Sequence, residues 1–374
     1  MSDRTAAPDN ASDADDALAE KLARYAHLMP RAPAELADKV ASGSPPGEEE
    51  PVLFSLEAAR AMPPLTTAGP LWAPLAETVA RDRALGCILG LAVGDAIGAP
   101  FEFKPRGSFP PVTAMTGGGP FDLQPGQWTD DTTMALCLGE SLLAMGDVDQ
   151  ADLMERLQRW MTQGENSVNG RCFDIGVTTR AAIERFIATG EASAGSAAPD
   201  TAGNASLVRL GPLAVFYRRD RALAQRMAAK QSCATHAAPQ VLDACQLFAA
   251  ILVDALAGAD TDLAMRPRVM ALTPKLLFMS GGDWKDKRRD EIRSGGYVVE
   301  TLEAALWSVW HTRTFRDAVL TAANLGGDSD SVAAVAGQLA GALYGAAAIP
   351  AEWLATLAWR EKIAALATAL FERD

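Results

Sequence analysis

Residues 325–350 read LGGDSDSVAAVAGQLAGALYGAAAIP. No charge falls between Ser331 and Pro350, a length near that of a membrane span. The run is nevertheless built from Ala and Gly, contains Gln338, and follows directly on Asp328 and Asp330. It reads as a close-packed internal helix, in which Ala favours helix and small side chains let neighbouring helices approach. Outward from this stretch, apolar residues recur at three- and four-residue intervals from about residue 81, with Gly or Pro between segments. The spacing predicts helices over 81–94, 129–145, 149–162, 173–189, 205–219, 237–257, 262–279, 296–311, 314–323, 329–347 and 351–371. Strand-like alternation is hard to find. The expected fold is therefore all-α: one large compact helical bundle over 81–374, without a repeat of fixed period.

Residues 1–80 form a different territory. Pro-rich and acidic stretches (SGSPPGEEEP at 42–51, MPPLTTAGP at 62–70) surround short helical candidates at 13–29 and 34–41. The segment holds 6 basic and 13 acidic residues, a net −7 of the whole chain's −13. Such composition describes a solvated acidic extension. Leu18, Leu22, Tyr25 and Leu28 repeat at helical spacing, however, and would need a surface to cover them, so a partner-binding arm is the functional expectation. The acidic balance argues against nucleic acid or an anionic membrane as partner, since both are gripped by Lys and Arg. The five cysteines, Cys87, Cys137, Cys172, Cys233 and Cys245, are odd in number and never spaced C-x-x-C. They read as buried thiols of a reducing, cytoplasmic compartment, and the N-terminus lacks the pattern of a secretory signal.

Three segments carry the chemistry. Gln127-Trp128-Thr129-Asp130-Asp131-Thr132-Thr133 opens a helix after a Gly-rich loop. Taken alone it is a good helix start, with a capping residue and first-turn acids. Leu325-Gly326-Gly327-Asp328-Ser329-Asp330-Ser331 opens another in the same manner. Capping does not explain why two helix starts each carry two carboxylates beside a hydroxyl. If these starts converge, four carboxylates share a low-dielectric site and repel one another unless cations intervene. Glu102, between Phe101 and Phe103 after a Gly/Pro turn, would supply a fifth oxygen donor. A set without His or Cys suits Mg²⁺, Mn²⁺ or Ca²⁺ and disfavours zinc.

GDAIGAPFEF, TDDTT, NGRCFDIG, AGNASLVRLGP, THAAP and NLGGDSDS stand in the order seen in ADP-ribosylglycohydrolases. Over about residues 81–370 the chain resembles that family, most nearly the branch that includes the dinitrogenase-reductase-activating glycohydrolase. The resemblance implies an all-α fold with two divalent cations, Mg²⁺ or Mn²⁺, in a cleft at helix termini. It implies metal ligands at Glu102, Thr129, Asp130, Asp131, Asp328, Asp330 and Ser331, the last often Thr in the family. It places substrate-contacting backbone at Asn169 and Gly170, and a general acid/base at Asp174, with Glu102 sharing that role. Asn204 and Ser206 fall in a phosphate-contacting loop where Ala205 replaces a common Gly, and His236 lies near the substrate. By themselves Asp174 and His236 read as ordinary helix-start residues, while His27 and His311 have no supporting context.

The activity so implied is removal of ADP-ribose from modified protein side chains, arginine being the linkage that NGRCFDIG points to; another ADP-ribose linkage is the alternative. The layout also resembles immunity proteins that pair with ADP-ribosyltransferase toxins, in which an extension occludes the toxin. Two other classes stand beside this reading. A non-catalytic toxin-binding inhibitor would have little reason to keep seven oxygen donors. A phosphoesterase using Asp328 and Asp330 would place its first Asp after an apolar strand, which residues 322–327 are not.

Overall fold

The structure, a computed structural model, describes residues 72–373. The proposed arm's helical candidates and His27 lie outside the described residues. Within residues 72–373 there are 15 α-helices and four short 3₁₀ turns, and the only β-type pairings are isolated bridges. The all-α expectation holds.

Two helices form the axis of the core, α1 (Glu77–Gly98) and α13 (Ser329–Tyr344). Neither has a polar face: every residue of α1 from Gly86 to Gly98 is buried, and so is all of α13 from Ser329 to Leu343. Helices of that kind belong at the centre of a large protein. They run antiparallel along a stripe of small residues. A Cβ placed on Gly90 would lie 2.3 Å from the Gly337 carbonyl oxygen, and one on Gly94 only 2.0 Å from that of Ala333. Gly86 faces Gly341 in the same manner, and Gly98 abuts Asp330. The run 331–350 is therefore the internal helix its composition implied, ending at Tyr344 where Gly345 takes φ 84°. By length and apolarity α1 and α8 (Pro239–Leu256) match a membrane span, yet 89% and 72% of those stretches are buried inside the fold.

The remaining helices wrap this pair: α2 (Asp130–Met145), α3 (Gln150–Gln163), α4 (Val177–Thr189), α7 (Arg221–Ser232), α11 (Val298–Trp310), α12 (Phe315–Ala323) and α15 (Arg360–Glu372). Several expected elements come out differently. Helix α1 starts at Glu77, inside the span assigned to the extension. The 205–219 segment breaks into α5 (Ala205–Val208) and α6 (Gly211–Phe216), because Pro212 withholds a backbone donor just after Gly211. The 262–279 segment likewise divides into α9 (Thr261–Ala264) and α10 (Pro274–Gly281) around Pro267 and Pro274. The last one divides into α14 (Ala351–Thr356) and α15, with Trp359 in a left-handed turn between them. Helix α7 was missed: its surface is mostly Arg, Gln and Lys, so its apolar face of Ala224 and Ala228 is too small to read by periodicity. Among the cysteines, Cys87, Cys137 and Cys245 are buried free thiols, but Cys172 and Cys233 are only partly covered.

Candidate metal centre and cleft

The antiparallel pairing decides the site, because it sets the end of α1 beside the start of α13. The chain leaves α1 through a 3₁₀ turn (Ala99–Phe101) and presents Glu102. It then reverses at Phe103, whose φ of 61° is strained for an aromatic residue and whose N–H donates to Gly327 O at 2.7 Å. Gly327 in turn donates to Lys104 O. At Gly326 and Gly327 the backbone is left-handed, and a Cβ on Gly327 would sit 2.3 Å from Ser294 O, so that position requires glycine. This knot aims Asp328 inward, while Ser329 Oγ donates to Gly98 O at 2.8 Å and ties the two helix ends together.

Capping, the ordinary use for these acids, is not what they do. Neither Thr129, the N-cap of α2, nor Asp328, the N-cap of α13, makes a side-chain cap bond. The cap of α2 comes from another helix. Asp95, fully buried on α1, accepts from Thr129 N–H (2.8 Å) and Thr132 N–H (3.0 Å), and from the hydroxyls of Thr129 (3.0 Å) and Thr132 (2.6 Å). Asp130 and Asp131 are thereby released to face the cluster.

Oxygen atoms of Glu102, Asp328 and Asp330 lie within 4.8 Å of one another. Thr129 Oγ1 is 3.4 Å from Asp330 Oδ2, and Ser331 Oγ is 3.5 Å from Asp131 Oδ1. Burial raises every one of these carboxyls, and repulsion between them adds to it at Glu102, Asp130, Asp131 and Asp330. Asp130, Asp131 and Asp330 are held well above the usual range, and Asp328 is raised mainly by burial. Glu102 is pushed up to about 9 by burial, then by the charges of Asp174 and Asp328. Asp174 reaches about 8 through burial and the nearby Asp95 and Asp328, and accepts a hydrogen bond from Glu102. Its own backbone is left-handed, with φ 60°. All eight residues expected at the metal and proton-transfer positions (Glu102, Thr129, Asp130, Asp131, Asp174, Asp328, Asp330 and Ser331) thus meet in one place.

Three oxygens at this spot, Glu102 Oε2, Asp131 Oδ2 and Asp330 Oδ1, are buried without a hydrogen-bond partner. Orphaned anionic acceptors are expensive to bury. A hard divalent cation is the group that carboxylate and hydroxyl oxygens alone would satisfy, so the residues fit one. The sequence reading missed Asp95. Its signal was available: it is the lone charge between Ala84 and Phe101 in an apolar helix, where an acid must have partners.

The substrate-side candidates are placed less uniformly. Asn204 donates from Nδ2 to Asp328 Oδ2 (2.8 Å) and Thr301 Oγ1 (3.0 Å), at the edge of the cluster. Ser206 is fully buried and its hydroxyl pairs with Ser232 Oγ at 2.7 Å, so its side chain is turned away from any cleft. Ala205 is helical and needs no glycine. Helix α5 is a single turn, too short to add much helix-dipole attraction for a phosphate at the loop. His236 is buried, its Nδ1 2.9 Å from Thr235 Oγ1 and its Nε2 edge turned towards Gly203. Asn169 is exposed and closes its own loop by accepting from Ser167 Oγ and Arg171 N–H, with Gly170 at φ 74° beside it. The Phe121–Phe173 ring pair, 5.3 Å apart, ties that loop to the Gly-rich segment before α2. His311 packs on Trp307, away from the cluster residues.

The profile of the ADP-ribosylglycohydrolase family matches residues 76–374. The chain is 50% identical to the ADP-ribosylarginine hydrolase Tri1 of Serratia proteamaculans, over 79% of this chain and 80% of that protein. It is 45% identical to the same-named protein of Pseudomonas putida over 95% of this chain and 93% of the relative, an alignment that reaches into the N-terminal extension. The ADP-ribosyl-[dinitrogen reductase] glycohydrolase of Rhodospirillum rubrum is 36% identical over 74% of this chain and 90% of its own. A solved chain described as an ADP-ribosylglycohydrolase-related protein complex superimposes with a TM-score of 0.70 at 43% identity, covering 79% of this chain and 98% of that one.

Proposed function

This chain belongs to the ADP-ribosylglycohydrolase family, and from that premise we propose that it hydrolyses the bond between ADP-ribose and modified arginine side chains of proteins. The observation that carries the reading is the set of orphaned carboxylate oxygens where α1, α2 and α13 meet. We assign Glu102, Thr129, Asp130, Asp131, Asp328, Asp330 and Ser331 as the ligands of two divalent cations, Mg²⁺ or Mn²⁺. When bound, such ions offset the cluster's charge, hold ribose hydroxyls and make water more acidic.

The protein's own part is positioning and proton transfer. Cleavage breaks the bond from C1 of the ribose to the guanidine nitrogen, with positive charge building at C1 as in other glycosides. The departing nitrogen needs a proton and the attacking water must lose one. Glu102 and Asp174, raised to about 9 and about 8 and joined by a hydrogen bond, both hold a proton at neutral pH without bound cations, so the pair can give one to the departing nitrogen and then take one from the water. Asn204, fixed between Asp328 and Thr301, with His236 lines the side that receives the ADP-ribose.

Residues 1–80 are assigned as an arm for a protein partner, an ADP-ribosylating toxin whose modification the hydrolase domain reverses, within a reducing cytoplasm. The similarity to the Pseudomonas putida hydrolase across 95% of this chain supports an arm that travels with the enzyme. The test is to incubate arginine-ADP-ribosylated protein with the full chain and Mg²⁺, alongside Asp130→Ala and Asp328→Ala. Wild type should release the label and both variants should not. Label retained by wild type would sink the reading, and release from a serine-linked substrate alone would move it to another linkage. Deleting residues 1–71 should leave release intact while weakening any complex with the transferase.

A further inference from the structure

Arg209 is a charge sealed inside the fold without a counter-charge. It is fully buried, and its partners are all neutral: Gln231 Oε1 (2.8 Å), Gln231 O (3.2 Å), Thr235 Oγ1 (3.0 Å) and the sulfur of Met134 (3.9 Å). Burial pushes its pKa down only to about 10, so it stays positive at neutral pH. An uncompensated buried cation is costly, and a well-packed apolar residue would serve stability as well.

Its use follows from counting protons. A guanidinium only donates. Gln231 must therefore turn Oε1 to Arg209, which leaves its Nε2 to donate to Ser206 O at 2.9 Å and fix the backbone of the 203–206 loop. Thr235 Oγ1 likewise accepts from Arg209, and as His236 Nδ1 at 2.9 Å is its one remaining partner among the described residues, the buried hydroxyl's proton goes there. A neutral imidazole that accepts at Nδ1 carries its hydrogen on Nε2. That nitrogen faces Gly203: a Cβ there would be 3.2 Å from it, a tight contact, and glycine leaves more room beside the ring. Burial, reinforced by the charge of Arg209, drives the His236 pKa down to about 3, which keeps the ring neutral.

We propose that Arg209 is a positioning residue that holds His236 as the Nε2–H tautomer through Thr235, presenting a fixed hydrogen-bond donor to a diphosphate oxygen of ADP-ribose beside the Gly203–Asn204 loop. This rests on the reading that the loop and His236 face the substrate. The polarity of both hydrogen-bond chains, through Gln231 to the loop and through Thr235 to the imidazole, originates at one residue. Its charge also favours an anion in a molecule otherwise rich in acids.

The test is ¹⁵N NMR of the full chain labelled at histidine, with the His236 signals assigned by their loss in His236→Gln, and ADP-ribose titrated by calorimetry. Wild type should show the neutral Nε2–H tautomer from about pH 5 to 9. In Thr235→Val and Arg209→Met the Nδ1–H form should appear and ADP-ribose affinity fall about tenfold, the worth of one strong hydrogen bond. Thr235→Ser should restore both. In turnover the loss should lie in KM, with kcat nearly unchanged. A wild-type His236 that is Nδ1-protonated or cationic overturns the proposal, as does a Thr235→Val protein that keeps wild-type tautomer or affinity. Thr235→Val retains the buried charge and so decides the matter if Arg209→Met does not fold. Because tautomer and binding are read without turnover, wild-type ADP-ribose binding with no hydrolysis would refute the enzymatic reading and leave this one standing.

Discussion

A single carboxylate on α1 controls how the start of α2 is used. Asp95 fills its acceptor sites with two amides and two hydroxyls of Thr129 and Thr132. Since Thr129 Oγ1 gives its only proton to Asp95, its lone pairs are left to face Asp330 Oδ2 at 3.4 Å. Two lone-pair-bearing oxygens in that relation suit a shared cation better than each other. Asp95→Asn puts a donor where an acceptor is needed, so one threonine loses its partner. The expected outcome is a drop in Mn²⁺ affinity of about 10–100-fold, measured by titration calorimetry, with circular dichroism unchanged. Affinity equal to wild type would show that Thr129 needs no such orientation. Asp174 belongs to the same scale. Asp174→Asn should lower kcat and remove one limb of the pH–rate profile, because only Glu102 of the hydrogen-bonded pair is then left to titrate.

Among the elements, the α1–α13 pair determines both stability and the site. Its close approach depends on Gly86, Gly90 and Gly94 meeting Gly341, Gly337 and the backbone of Ala333. Gly94→Val would force a side chain against a carbonyl oxygen now 2.0 Å from the ideal Cβ position. Neither partner is a flexible side-chain tip, so the helices must separate. A loss of about 3 kcal/mol is expected, read from urea unfolding. The neighbour of that glycine is Asp95, and its facing helix begins with Asp328 and Asp330. Metal affinity should therefore fall with stability in Gly94→Val, whereas a cavity-forming Phe315→Ala, whose ring abuts Gly90 one turn further from the acids, should lower stability and spare the metal. Equal metal binding in both variants would separate the helix pair from the site.

At the scale of the whole molecule, the acid cluster links folding to pH and to cations. Folded-state pKa values raised above the unfolded ones favour the folded protein most below the unfolded carboxylate range and withdraw that support as pH rises through the folded values. With Glu102 at about 9 and Asp174 at about 8, the metal-free protein should lose stability progressively from about pH 4 to pH 9. Saturating Mg²⁺ should remove most of that slope and raise the melting temperature at neutral pH by about 5 °C. Melts in a chelator and in Mg²⁺ across that range check it, and parallel curves would contradict a metal role for the cluster. The all-α class, the burial of 331–343 and the convergence of the acids were legible in the sequence, because small-residue composition and paired acid–hydroxyl helix starts are local patterns with local physical causes. Helix α7 and the breaks at 209–210 and 265–273 were not, since weak amphipathicity and turn geometry are settled by neighbours. Nor could sequence show that Asp95 caps α2, that Ser206 faces inward, or that Arg209 sets the tautomer of His236. Those depend on which side chain lies across a gap of about 3 Å, and residues 26 to 34 positions apart along the chain come within that distance only when their helices have packed.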